Sequence, residues 1–359
     1  MKVLVDAREL AGRPTGVGRY LREILRRWNA PHVASLHEIV LCAHDLRNAG
    51  ELGFRMIETG HGPAGTWWEQ RTLARIAAGE RPAVLFCPAY TAPLGARVPI
   101  VVTIHDVSFV AHPEWFTFRE GTRRRLLTRA TARRAAAILT VSEFSASEIS
   151  QAFGVPADRI HVVRHGVPRP RPPAVPIARE PMVLFVGSVF TRRHVPELMA
   201  ALRGVLPHVR DARLVVVGEN RTQPRQDLRA LAASLEIEHA VELADYVSDE
   251  RLNDLYARAR VFAFVSDYEG FGLTPLEALA SGVPPIVADT AIAHETCGRA
   301  AVFVKPGDVH ALALAIRTLL TDDRARLRVF EAAPAVLTRY SWDRAAEDTL
   351  QVLERVARR

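Results

Sequence analysis

Apolar residues cluster in short runs along the chain, and most of these runs do not alternate with polar ones. Five such runs lie near residues 2–5, 37–42, 83–87, 100–104 and 137–141. Five more lie near 182–186, 213–217, 261–265, 285–288 and 301–304. A run that is apolar at successive positions reads as a strand buried on both faces, as in a parallel sheet covered by helices on each side. Between the runs, apolar residues recur every three to four positions. That spacing predicts helices near 17–28, 66–77, 120–135 and 144–152, then near 195–206, 224–234, 249–258, 274–281 and 308–320. The tail SWDRAAEDTLQVLERVARR sets Leu350, Leu353 and Val356 at helical spacing and predicts a last helix. Strand and helix alternating twice over predict an α/β protein of two doubly wound domains facing each other across a cleft. Ligands of such sheets bind beyond the carboxyl ends of the strands, so the cleft is the expected site.

The boundary between the halves lies at PRPRPPAVPIAREP, Pro168 to Pro181, whose six prolines suit neither a helix nor a central strand. This predicts a first domain over 1–167, a stiff linker over 168–181 and a second domain over 182–341, followed by the tail helix over 342–359. A chain of 359 residues is long for one domain and comfortable for two. The opening MKVLVDAREL carries charges where a signal peptide would be apolar, and the uncharged run Ala83 to Ala96 is short and holds Pro88 and Pro93. The three cysteines, Cys42, Cys87 and Cys297, have neither disulfide nor zinc spacing. Together these features predict a cytoplasmic protein. The net charge of +7 is unevenly spread: residues 1–167 hold 22 Lys and Arg against 15 Asp and Glu, whereas residues 168–359 hold 25 of each. Such an imbalance suits a surface for polyanions or anionic lipid.

Four places combine chemistry-bearing residues with a strand end. Gly16 and Gly18 open the helix after the first strand, a layout that offers backbone amides and the helix dipole to a phosphate; a tight strand-to-helix turn explains the same glycines. Arg192 and Arg193 follow the strand MVLFV and precede a helix, where two cations suit a diphosphate or a solvated loop. His105 and Asp106 end the strand PIVVTI, where the imidazole suits a sugar hydroxyl or a developing positive charge, and equally a buried core histidine. The fourth is SDYEGFGLTPLEALASG. Thr274, Pro275 and Glu277 read as N-cap, first helical position and third position of a capping box. That cap accounts for Glu277 but not for Glu269, nor for the glycines on either side of Phe271, which leave the backbone bare where a ligand would approach.

Taken together these residues resemble the retaining glycosyltransferases of family four, which have the GT-B fold of two Rossmann-like domains. The E-x7-E spacing of EGFGLTPLE followed by ALASGVPPIVAD carries the resemblance most specifically, and GVGRYLREIL, VTIHDVSF with HPEWF, AAAILTVSEFSASEI, VGSVFTRRHVPELMAAL and DYVSDERLNDLYARARVFAFVSDYEGFG extend it over nearly the whole chain. The tail resembles the helix that crosses back onto the first domain. The resemblance implies that Glu269 accepts hydrogen bonds from the donor sugar and stabilises charge at the reacting carbon. It implies that Glu277 holds the ribose and that amides of Phe271, Gly272 and Leu273 face the sugar or diphosphate. Gly16 and Gly18 would approach the diphosphate, Arg192 and Arg193 would neutralise the leaving nucleoside diphosphate, and His105 would stand near the anomeric centre. The donor would be a nucleotide sugar, with GDP-mannose as one candidate, and the acceptor a glycan or a polyprenyl-diphosphate-linked glycan. No Asp-x-Asp occurs in the chain, so no metal and no further cofactor are expected. Arg193 stands where many members carry Lys, and Ser188 where some carry Arg.

The segment FREGTRRRLLTRATARRAAA holds seven arginines against Glu120 alone, which suits a solvated helix face or contact with an anionic membrane. Trp67, Trp68, Trp115 and Phe116 suit acceptor or lipid contact, or core. Two other function classes fit parts of the pattern. A nicotinamide-linked oxidoreductase fits the doubly wound domains and Gly-x-Gly, but the third glycine and the ribose-binding acid of that fingerprint are missing. A nucleic-acid-binding protein fits the basic half, but no aromatics interleave the arginines, so no nucleic acid is expected as a partner.

Overall fold

The computed structural model describes residues 1–12, 16–60, 65–168 and 178–359. The chain divides into two compact units, Met1–Gly166 with Ser341–Arg359, and Val167–Tyr340.

The sheet of the first unit has seven strands: β1 (Lys2–Asp6), β2 (Glu38–Ala43), β3 (Arg55–Glu58), β4 (Val84–Cys87), β5 (Ile100–Thr103), β6 (Ala137–Thr140) and β7 (Ile160–Val162). They lie in the order β3-β2-β1-β4-β5-β6-β7, and all neighbours are parallel. Successive residues of β1 feed opposite cores. Val3 and Val5 pack with Tyr20, Leu21 and Trp28 of the helix Gly16–Trp28, and Leu4 packs on the other face with Trp68, Phe109 and Phe153. This alternation through an all-apolar strand is the expected result of burial on both faces. The last helix, Trp342–Ala357, supplies Trp342, Val352, Leu353 and Val356 to the first of these cores. Trp28 Nε1 donates to Ala346 O at 3.0 Å, and Arg27 pairs with Asp343 at 2.6 Å. At Gly166 a side chain has no room: an added Cβ would lie 2.2 Å from the Trp342 backbone nitrogen.

The second unit has six parallel strands, β8 (Glu180–Val186), β9 (Arg213–Val217), β10 (Val241–Ala244), β11 (Ala259–Phe264), β12 (Pro285–Ala288) and β13 (Val302–Val304), in the order β10-β9-β8-β11-β12-β13. The strand β8 starts at Glu180, so Glu180 and Pro181 belong to the sheet and not to the expected linker 168–181. Residues 169–177 of that linker lie outside the described residues. Pro181 is tolerated in a central strand because the pairing with β11 shifts register between Ala259 and Val261, beside it.

In both units the strand order reverses once, between β1 and β4 and between β8 and β11. A crevice opens at the carboxyl ends of strands that diverge in this way. Among the described residues no helix is long and apolar enough to cross a membrane.

Candidate functional site

In the second unit the reversal brings the loop after β8 against the loop after β11. Gly187 follows β8 with φ +142°, and Gly218 follows β9 with φ +154°. A Cβ on Gly218 would lie 1.9 Å from Gly187 O, so only glycine lets the two strand ends approach this closely. The turn Thr191–Arg193 then leads through His194 into the helix Val195–Val205.

Arg193 lies in the crevice. Its Nε donates to Glu269 Oε1 at 2.8 Å and its Nη1 to Ser188 O at 2.9 Å, and its guanidinium covers the Phe264 ring at 4.8 Å. Ser266 Oγ donates to the same Glu269 oxygen at 2.9 Å. Arg192 lies over Phe190 at 4.4 Å and donates through Nε to Tyr268 O at 3.3 Å. Two arginines and one carboxylate thus meet at the switch point, drawn from positions 76 apart for the Arg193–Glu269 pair.

Beyond Glu269 the chain turns through Gly270, Phe271 and Gly272 into the helix Leu273–Ala280. The helix starts two residues earlier than a capping box would place it. Its N-cap is Gly272, with φ +82°, and no side chain caps it, so Thr274 and Glu277 lie inside the helix and the expected capping box is absent. The reason is the left-handed Gly272, which turns the chain into the helix before Thr274 is reached. Glu277 is therefore a buried carboxylate on the second turn with no cap to explain it. The Phe271 ring packs inward, edge-on to Tyr340 at 5.4 Å, which leaves its backbone as the group that can serve a ligand. Glu269, Phe271, Gly272 and Pro275 line a small pocket of about 20 Å³, room for little more than a water.

A larger cavity, about 470 Å³, lies at the carboxyl ends of β9 and β10. Gly218, Asn220, Arg225, Asp227 and Asp245 contribute to its wall. Its size suits a nucleoside. Nothing in the spacing of these residues marks them; the strand β10 that carries one wall is a short edge strand whose apolar residues are interrupted by Glu242.

In the first unit His105 follows β5 and is buried. Its Nε2 lies 2.9 Å from Pro88 O. A carbonyl can only accept, so Nε2 carries the proton. Burial lowers the pKa, outweighing the bond to Pro88, and keeps the ring neutral; Nδ1 is then an acceptor. His105 therefore has the character of a hydrogen-bond acceptor at Nδ1 and not of a cation. Asp106 serves the fold instead: it accepts from Tyr90 Oη at 2.7 Å and from Ser108 N at 2.8 Å. Tyr20, from the helix that Gly16 opens, packs edge-on to His105 at 5.2 Å, so the glycine turn and the histidine share one cluster. Gly16 has open space where a side chain would stand, and Gly18 is buried in the first turn. Residues 13–15 of that loop lie outside the described residues.

One buried cluster of the first unit was not anticipated. At the carboxyl end of β1, Arg8 pairs with Asp6 and Glu69, and Thr91 Oγ1 donates to Glu69 at 2.6 Å. Burial works against the Arg8 charge, but the two carboxylates outweigh it and raise its pKa. The pattern Asp-x-Arg at a strand end is the signal that was available.

Trp68 is core, with Nε1 donating to Thr59 Oγ1 at 2.8 Å, whereas Trp67 is exposed beneath Arg71.

Residues 14–171 match the family model described as Glycosyltransferase Family 4, and residues 171–336 match that of the Glycosyl transferases group 1. The chain is 30% identical over 261 residues to the O-antigen chain mannosyltransferase B of Escherichia coli, covering 70% of this chain and 68% of that protein. It is 30% identical over 253 residues to the MMP alpha-(1->4)-mannosyltransferase of Mycolicibacterium hassiacum, covering 68% of this chain and 59% of that one. The solved structure of Anabaena Alr3699/HepE in complex with UDP-glucose is similar with a TM-score of 0.80 at 18% identity, covering 99% of each chain, a likeness of fold. These matches support a transferase and lend nothing to the oxidoreductase alternative. The chain belongs to the family four, group 1 glycosyltransferases, enzymes with the GT-B fold that these two parallel-sheet units form.

Proposed function

We propose that the protein transfers a hexose from a nucleoside-diphosphate sugar to a glycan or polyprenyl-diphosphate-linked glycan of a surface polysaccharide, with retention and without a metal. Mannose is the first candidate sugar, because the relatives from Escherichia coli and Mycolicibacterium hassiacum are named mannosyltransferases; rhamnose is the second. GDP-mannose and UDP-sugars are the donors to try first, the latter because the Anabaena protein was solved with UDP-glucose.

The observation that carries the reading is the Arg193–Glu269 pair at the switch point, with Arg192 beside it and a nucleoside-sized cavity next to it. Breaking the bond between the anomeric carbon and a phosphate oxygen leaves an oxocarbenium-like sugar and a diphosphate with added charge. The arginines meet the second, and Glu269 meets the first. The acceptor oxygen attacks on the face the diphosphate leaves, and its proton passes to the departing phosphate oxygen. We assign Glu277 to the ribose, and the amides of Phe271, Gly272 and Leu273 to the sugar or diphosphate. Gly16 and Gly18 are assigned to the diphosphate, and His105 Nδ1 to a hydroxyl of the transferred sugar.

The protein is proposed to work in the cytoplasm, peripheral to an anionic membrane that the helix Phe118–Arg134 faces. The exposure of Phe118 and Leu126 on that arginine-rich helix, and of nearby Trp67, supports this contact. Against it, Arg123, Arg124, Arg125 and Arg134 are each held by partners within the unit.

The test is a melting and turnover panel of GDP, UDP, dTDP and ADP with their sugar conjugates, with and without EDTA. Stabilisation by one nucleoside diphosphate and EDTA-insensitive transfer with an α-linked product from an α-donor would support the reading. An inverted product, or transfer abolished by EDTA, would overturn those two parts of it.

A further inference from the structure

We propose that His194 is a positioning residue: its ring clamps the arginine loop after β8 to the carboxylate loop after β11, and so sets donor affinity, an inference that rests on the donor assignment made above. His194 adopts φ +51°, a left-handed conformation that is uncommon for a residue with a side chain. The conformation aims the ring between two acids. Nδ1 lies 3.1 Å from Glu197 Oε1, on the helix that follows, and Nε2 lies 2.8 Å from Asp267 Oδ1, across on the other loop.

Carboxylate oxygens accept, so both ring nitrogens donate, and an imidazole that donates twice is an imidazolium. The geometry alone therefore makes His194 a third cation beside Arg192 and Arg193. The hydrogen bonds to Asp267 and then Glu197 push its pKa up to about 10. The charged groups around the ring are Arg192 and Arg193 from its own segment, Glu197 from its helix, and Asp267 and Glu269 from the facing loop.

Three successive residues thus bridge the same two loops. Asp267 N donates to Arg192 O at 2.9 Å, Arg193 pairs with Glu269, and His194 pairs with Asp267. The three differ in what a donor would do to them. A diphosphate taken up by Arg193 and a sugar taken up by Glu269 both compete with the Arg193–Glu269 pair. His194 is held by acids that no donor group is assigned to, so its bridge persists while the pair beside it opens. The spacing of the two loops is then kept through binding, and donor affinity depends on a residue that does not touch the donor.

The experiment follows the His194 ring by NMR titration in the full-length wild type and in Asp267→Asn. It also measures GDP and UDP binding, donor KM and kcat for wild type, His194→Ala, Asp267→Asn and the double variant. The ring is expected to stay protonated beyond about pH 8 in the wild type and to titrate lower in Asp267→Asn. Each single variant is expected to raise donor KM by about fivefold or more with kcat nearly kept, and the double variant to be no worse than either single. Titration near the ordinary histidine value in the wild type, or unchanged donor KM in both single variants, would overturn the proposal. A wild type that binds none of the nucleotides while the ring remains protonated would overturn the donor assignment, and with it the link to affinity. A wild type that binds nucleotide while the ring titrates normally would overturn the clamp alone.

Discussion

Glu269 and Glu277 stand eight positions apart in the chain, and their surroundings differ. Glu269 is partly exposed and accepts from Arg193 and Ser266 through one oxygen. Glu277 is buried inside the helix Leu273–Ala280. We expect Glu269→Ala to lower kcat by about 100-fold or more, a loss typical of removing one charge-stabilising group, with donor affinity changed far less. Initial rates over donor concentration check this, and a fully active variant would refute the assignment. Glu277→Gln should weaken donor binding by about tenfold, the scale of one charge-assisted hydrogen bond, with little change in melting temperature because no cap is lost. The buried histidines make a different prediction. Burial lowers the pKa of His105, and burial with the neighbouring His105 lowers that of His165 well below the ordinary value. In the unfolded chain both rings protonate near pH ~6.5, while in the fold they resist it, so the unfolded state binds more protons as the pH falls below that value. The stability these rings allow is present above pH ~6.5 and lost progressively below it. Melting curves at neutral and mildly acidic pH should show the loss, and His165→Gln should make it smaller.

The close approach of β8 and β9 is the element-scale condition for the arginine turn. Gly218→Ala would push a methyl into Gly187 O and impose a strained φ, at a cost of about 2–4 kcal/mol. Gly204→Ala is the control: in the helix Val195–Val205 the added Cβ meets only Ala313 Cβ at an ordinary 3.5 Å, so the helix should gain up to about 1 kcal/mol. Urea midpoints of the two variants would separate the effects, and equal midpoints would refute the close-approach argument. The same elements show what was legible in the chain. Strands built around an apolar run announced themselves, because both faces of the sheet are covered. The edge strands Arg55–Glu58, Ile160–Val162 and Val241–Ala244 did not, because one side of each faces solvent and their residues are mixed. The helices Ala291–Cys297 and Asp323–Leu337 were also missed. The acid motif and both arginines were legible as residues at strand ends. Their partners were not: His194 meets Asp267 only through a left-handed turn and across 73 positions.

At the scale of the whole molecule the chain passes between its units twice, after Gly166 and after Tyr340, and each unit has its own core. The return of the last helix is what completes the first unit. Trp342, Val352, Leu353 and Val356 are buried there against Trp28 and Leu25. Side chains of this size contribute about 1.5–3 kcal/mol each on burial, so the four together rival the net stability of an ordinary domain, ~5–15 kcal/mol. Calorimetry of the full chain should therefore resolve two transitions, and truncation after Tyr340 should abolish the first unit's while the second unit's remains. The second core contains no residue from the helix that is removed. A nucleoside diphosphate that binds the crevice of the second unit should still raise its midpoint in the truncated chain, because Arg192, Arg193, Glu269 and Glu277 all lie within that unit. Survival of both transitions after truncation would mean that the buried contacts of the last helix contribute little. Loss of the nucleotide shift along with the first unit would mean that nucleotide binding requires the first unit as well as the second.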